Sequence, residues 1–211
     1  MPATRPKPRV LEGRFIRLEP LDRDHVDELY RAINLPEVFA GGYGGGPAGL
    51  QPSAEAFAAW AQTAFRWETG NVYGIRIVGG ESDGVLVGTS TLGDFELEKE
   101  ATHIGWTAYH PSVWSTAVNP EAKLLLLGEA FEHGFGRVRL QADSLNERSR
   151  AAIAKLGATF EGVLRRERVR ADGTFSGTAI FSVLVDEWSA VRDGLLARLE
   201  RYGPDPVVAR L

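Results

Sequence analysis

The chain has 211 residues, a formal net charge of −4, 44% hydrophobic and 25% charged residues, the balance of one globular domain that buries its own core. Cysteine is absent, which excludes disulfides, thiolate metal ligands and a cysteine nucleophile; four histidines with no HExxH pair give no metal centre to expect. The acidic balance argues against direct nucleic-acid binding, and no apolar run nears the roughly 18 residues of a membrane span, so a cytoplasmic protein with no membrane partner is expected.

Residues 1–10 read as a flexible lead-in, residues 11–202 as a single domain and residues 203–211 as a flexible tail. Arg14 to Pro20 alternates as a first strand, and Asp22 to Ile33 carries a helical apolar stripe opened by acids. Gly41 to Gly49 is the most flexible stretch expected. Its literal GxGxxG string follows a helix rather than a strand, so it reads as a mobile loop or lid and not a dinucleotide site. Ser53 opens a helix to about Trp67, then come strands over Tyr73 to Val78, Val85 to Leu92 and Thr102 to Tyr109.

Asn119-Pro120-Glu121 predicts a helix start with Asn119 as its cap, running to about His133. A strand over Arg137 to Ala142 follows. Ser144 to Glu147 matches a capping box, and its helix stops at Gly157. Strands over Val163 to Arg170 and Thr178 to Val185 flank a turn, and Asp186 to Tyr202 is helical. The interleaving predicts an α/β (α+β) mixed sheet with hairpins in both halves.

Two strand-to-helix junctions carry the chemical signal. In Thr102 to Lys123 a strand feeds a helix through Ser115, Thr116 and Ala117, small residues that bring backbone N–H groups and the positive helix end close to a phosphate. In Asp143 to Ser149, Asn146 can donate and accept, and the Ser149 hydroxyl can donate a proton. Arg165, Arg166, Arg168 and Arg170 read as a solvated strand edge, with anion binding as the sharper alternative.

Leu11 to Pro20, Asn119-Pro120-Glu121-Ala122-Lys123, Asn146 to Ile153, Lys155-Leu156-Gly157-Ala158 and Glu161 to Arg165 together resemble the GNAT superfamily of N-acetyltransferases, near the ribosomal-protein N-terminal alanine and serine acetyltransferases. The resemblance spans roughly Leu11 to Val191. It implies a single GNAT fold, a twisted mixed sheet of about seven strands flanked by helices. It also implies acetyl-CoA as donor and direct transfer to a primary amine, either a protein N-terminus or a small molecule. By the same resemblance, N–H groups near Ala108 and Tyr109 polarise the thioester carbonyl. Trp114, Ser115, Thr116, Ala117, Val118 and Asn119 form the pyrophosphate loop, although the family's usual glycines and arginine or glutamine are missing from it. Lys123 is expected to add charge towards a phosphate, Asn146 to lie near the pantetheine, and Ser149 to protonate the leaving thiolate. The proton acceptor is left open among Asp143, His103, Asp94 and Glu96, candidates by their position near the strand ends, with Asp143 and Ser149 taken as the catalytic residues. The missing glycines keep a second reading open, a GNAT-shaped ligand-binding or interaction module with weak catalysis. Leu195, Leu196 and Leu199 on the last helix leave a homo-oligomer open, with contact to the chain's own domain expected first.

Overall fold

The computed structural model describes residues 2–211. Its eight strands form one sheet in the order β1-β2-β3-β4-β5-β6-β8-β7. They are β1 (Leu11–Glu12), β2 (Ile16–Pro20), β3 (Asn71–Ile77), β4 (Leu86–Glu96), β5 (Ala101–Tyr109), β6 (Arg137–Asp143), β7 (Thr159–Val169) and β8 (Phe175–Leu184). Every neighbouring pair is antiparallel except β5 and β6, which run parallel. The extra strand is β1: Gly13 donates its N–H to the Ile16 carbonyl at 2.9 Å, turning Leu11–Glu12 back onto the expected first strand as a short hairpin.

The helices are α1 (Val26–Ile33), α2 (Pro36–Ala40), α3 (Ala54–Ala64), α4 (Val118–Glu132), α5 (Glu147–Ala154) and α6 (Trp188–Glu200). One face of the sheet buries Leu126 and Leu127 of α4, Ile153 of α5 and Val191, Leu195 and Leu199 of α6. The other buries Leu29 and Ile33 of α1, Phe39 of α2 and Phe57 and Ala61 of α3. Leu195 and Leu199 therefore pack on this chain's own sheet, while Leu196 stays exposed.

Two caps differ from expectation. α4 begins a residue before Asn119, with Ala117 at the cap position and no side-chain cap. α5 is capped by Asn146, not Ser144: the Asn146 side chain accepts the Ser149 N–H at 3.0 Å. Both ends of the chain make specific contacts. Ala3 is buried, the Pro6 carbonyl accepts from Asn71 at 2.9 Å, and Ala209 N–H donates to Ser82 Oγ at 2.9 Å.

α4 is tied to the β1–β2 hairpin by an ion. Glu121 is 3% exposed, and its carboxylate accepts the backbone N–H groups of Arg14, Phe15 and Ile16 at 2.8, 2.7 and 2.8 Å. The hairpin has no strand partner for those donors, so the carboxylate satisfies them.

Candidate active site

β5 and β6 pair only over Ala101–Ile104 and Arg137–Leu140, then part. β5 also bulges: Thr91 faces Gly105 and Thr89 faces Ala108, so Trp106 and Thr107 share Ser90 as their opposite. Trp106 takes φ +49° there, a left-handed value that costs a large aromatic residue and marks a geometry imposed by its surroundings. Beyond the bulge, His110 N–H closes on the Val87 carbonyl of β4 at 2.7 Å, while the Trp114 indole donates to the Tyr109 carbonyl at 3.0 Å. Peptide groups alternate along a strand, so Tyr109 turns its backbone into the gap. Ala108 is the register partner of Thr89 and is buried against β4. Below the gap lies a cavity of about 810 Å³.

The β5–α4 loop forms one end of this cavity. Ser115 takes φ +64°, supplying the left-handed turn for which glycine is the usual residue. Thr116 Oγ1 donates to the Val113 carbonyl at 2.6 Å and accepts the Val118 N–H at 3.3 Å, which fixes the loop. Trp114, Ser115, Thr116 and Asn119 line the cavity, whereas Ala117 and Val118 are fully buried beneath it and offer no side-chain surface. Asn119 accepts the Tyr109 hydroxyl at 3.0 Å, and burial holds that phenol above its ordinary pKa, so it stays a donor.

Lys123, expected to add charge towards a phosphate, lines the cavity. It is 4% exposed on the cavity floor, with Nζ donating to Thr107 Oγ1 at 2.8 Å and Ser90 Oγ at 3.2 Å. Both partners are hydroxyls, and burial lowers its pKa to about 7.

The β6–α5 junction forms the facing wall. Asn146 uses both ends of its amide inside the protein, Oδ1 on Ser149 N–H and Nδ2 on the Gly41 carbonyl, so it fastens the glycine loop to α5. Asp143 is likewise engaged: Oδ1 accepts the Leu145 N–H at 2.9 Å and Oδ2 pairs with Arg170 at 3.0 Å. Both carboxylate oxygens of Asp143, an expected catalytic residue, are thus engaged within the protein. Ser149 lines the cavity with its hydroxyl outside these bonds. Arg148 stacks over Trp114, 3.5 Å from the ring centroid, bridging the two walls.

His103, another of the candidates, keeps one nitrogen free. His103 on β5 is 2% exposed, with Nδ1 placed 3.1 Å from Asp94 Oδ2. Asp94 also accepts from Arg139 at 3.1 Å. An ionised carboxylate only accepts, so His103 donates Nδ1–H to it and keeps a lone pair on Nε2. That nitrogen is buried without a partner among the described residues. Burial pushes the imidazole below its ordinary pKa against the pull of Asp94, so the neutral ring prevails. Glu96, the remaining candidate, is held by Lys99 at the surface. Tyr43, Trp60, Arg66, Trp106 and Arg168 also line the cavity. Arg168 belongs to the arginine stretch for which anion binding is the sharper alternative; the spacing of the other four gives no signal, because separate segments bring them together.

The model of the acetyltransferase (GNAT) domain matches residues 16–159. The chain belongs to the GNAT acetyltransferase family. Among solved structures, this GNAT chain is 34% identical to a candidate acetyltransferase from T. thermophilus, covering 93% of this chain and 100% of that one at a TM-score of 0.80. It is 27% identical to a GCN5-related N-acetyltransferase from Brucella melitensis, covering 94% and 88% at 0.82. Mycobacterium smegmatis RimJ, solved with CoA-disulfide, shares the fold at 16% identity, covering 90% and 95% at 0.71. A search of curated proteins found no match. Among the described residues no helix is long and apolar enough to cross a membrane, and no group of three acidic or histidine side chains could hold a metal ion.

Proposed function

We propose that this GNAT protein transfers the acetyl group of acetyl-CoA to a primary amine, a protein N-terminus or a small molecule, by direct attack in a ternary complex in the cytoplasm. One observation carries the reading. The gap between β5 and β6 opens on a cavity with the start of α4 at one end and His103, paired from behind by Asp94, on its wall. The pyrophosphate of the donor is assigned to the turn at Ser115–Thr116 and the amides ahead of α4. Its arm is assigned to the gap, beside the Tyr109 backbone.

In this reading the acceptor ammonium gives up its proton through water in the cavity, with His103 Nε2 as the acceptor at the far end and Asp94 stabilising the imidazolium that results. The free amine attacks the thioester carbonyl carbon. The C–N bond forms, the C–S bond breaks, the Ser149 hydroxyl passes its proton to the departing thiolate, and the second proton of the attacking nitrogen returns to the Ser149 oxygen as the amide forms. Tyr109 N–H is the backbone donor assigned to the developing oxyanion.

The test is titration with acetyl-CoA followed by an amine screen on wild type, His103→Gln and Ser149→Ala. His103→Gln is expected to lower kcat/KM by about 10²–10⁴-fold with donor affinity retained. The acidic limb of wild-type kcat/KM is expected below about pH 6.5, because the folded imidazole protonates only below its ordinary value. No acetyl-CoA binding at low salt overturns the reading, and full activity in His103→Gln overturns the assigned base.

A further inference from the structure

The glycine loop is tied down on both sides of the cavity. Its Gly41 carbonyl accepts from Asn146 of α5, and its Gly45 carbonyl accepts the Ala171 N–H of the β7–β8 turn at 3.0 Å. A Cβ at Gly45 would stand 3.0 Å from that Ala171 nitrogen, so the two backbones are in contact. Arg170, one residue earlier, pairs with Asp143 at the end of β6. Gly45, Arg170 and Asp143 all line the cavity. Loop, turn and strand end therefore make one wall, and a polypeptide passing between loop and turn would have to break the Gly45–Ala171 bridge.

Behind this wall the cavity is lined with rings. Tyr43 of the loop stands 6.2 Å from Trp60 of α3, and Trp60 stands 5.7 Å from Phe65, centroid to centroid. The next residue, Arg66, lies over the Trp106 ring at 4.9 Å, and Trp106 stands 5.3 Å from His103. Through Arg66 the aromatic wall thus runs from the glycine loop to the proton acceptor. Among the described residues the one carboxylate lining the cavity is Asp143, and Arg170 holds it. An acceptor ammonium finds no free counter-charge there, so its affinity has to come from the body that carries it. Rings prefer rings, through buried area and through edge-to-face or offset contact.

We propose that the acceptor is a small primary amine on an aromatic body, enclosed among Tyr43, Trp60, Phe65 and Trp106, and that the Gly45–Ala171 bridge bars a protein N-terminus from the same place. This rests on the acetyl-transfer reading for its chemistry but not for its binding. The acceptor's ring packs against Trp60 and Phe65, and its amine lies towards the gap where the thioester is assigned. An amine without a ring leaves that wall uncovered.

The experiment uses the full chain and three acceptors: 2-phenylethylamine, ethylamine, which carries the same amine without the ring, and a short peptide with a free N-terminal alanine. Binding is measured by calorimetry, and kcat/KM on the same compounds with acetyl-CoA, beside a titration with the donor alone. 2-Phenylethylamine is expected to exceed each of the others by about tenfold or more in both readouts. Ala171→Pro removes the bridging N–H yet suits the turn, because proline is favoured at its second position and the Gly173 N–H still closes on the Arg170 carbonyl. That variant is expected to lose most of the preference over the peptide and none of the donor affinity. Trp60→Leu is expected to lose most of the preference over ethylamine, with donor affinity showing that the fold persists. Equal handling of 2-phenylethylamine and ethylamine, or a peptide that matches 2-phenylethylamine in the wild type, overturns the inference. Donor binding with no response to 2-phenylethylamine overturns it too, and a preference over the peptide that survives Ala171→Pro overturns the role of the bridge. Selective binding of 2-phenylethylamine with no acetyl-CoA binding or turnover upholds the pocket and overturns acetyl transfer instead.

Discussion

Glu121, Lys123 and His103 are ionisable side chains buried in the fold. Glu121 accepts three backbone N–H groups that have no other partner. Glu121→Gln turns an NH₂ group towards those donors and removes the charge, a loss of about 3 kcal/mol. A thermal melt should show a fall of roughly 6–12 °C for a chain of this size. Lys123 works the other way. Its folded pKa, about 7, lies below the ordinary lysine value of 10.5, so between those pH values the unfolded chain binds the proton and the folded one does not. Stability from this residue therefore rises with pH across that window and is lowest below about pH 7. Lys123→Met is expected to raise the melting temperature at about pH 7, with the advantage shrinking towards about pH 10. An advantage that stays constant with pH would show that Lys123 does not titrate in the window. His103 shares the sign: its neutral ring in the fold costs stability as pH falls below its ordinary range.

At the scale of elements, the bulge in β5 matters most. It places two residues of β5 opposite Ser90 alone, which turns Thr107 towards Lys123 on α4 while His103 lies over Gly105. A Cβ added at Gly105 would meet the His103 imidazole at Cε1, closer than any ordinary contact. Gly105→Ala must therefore displace the imidazole from Asp94. Turnover is expected to fall by at least about tenfold while acetyl-CoA still binds, because the loop end of the cavity is untouched. Steady-state kinetics beside a donor titration checks this; unchanged kcat would remove His103 from the reaction. The glycine loop is an element fixed by its neighbours. Asn146 holds the Gly41 carbonyl, and a Cβ at Gly42 would stand 3.1 Å from Asp143 Cβ. Its glycines serve close approach to α5 and β6 as much as mobility.

The whole molecule separates what is local from what is not. Strands and helices are legible in the chain because their signals are periodic and short-ranged: the Leu126 and Leu127 face of α4, the alternation in β6, the glycine that ends α5. The two strand-to-helix junctions are legible too, since a turn of small residues before a helix announces itself in sequence. The cap of α5 is not, because Ser144 and Asn146 are both good cap residues, and only packing against Gly41 selects between them. Lys123 escapes a linear reading for a similar reason. A lysine in the first turns of a helix is usually exposed, and nothing nearby in sequence tells that Thr107 and Ser90 wait beneath it.

Contiguous residues are enough to dictate the fold class, the family and the two junctions that frame the gap. They are not enough to say which acid or histidine stands free. Asp143 is claimed by Arg170, 27 residues away, while His103 keeps an unpartnered Nε2 because Asp94, nine residues away, takes its other nitrogen. Whether a side chain can exchange a proton depends on its burial and on who else holds it. Those are properties of neighbours in space, and the sheet brings them together only when it closes.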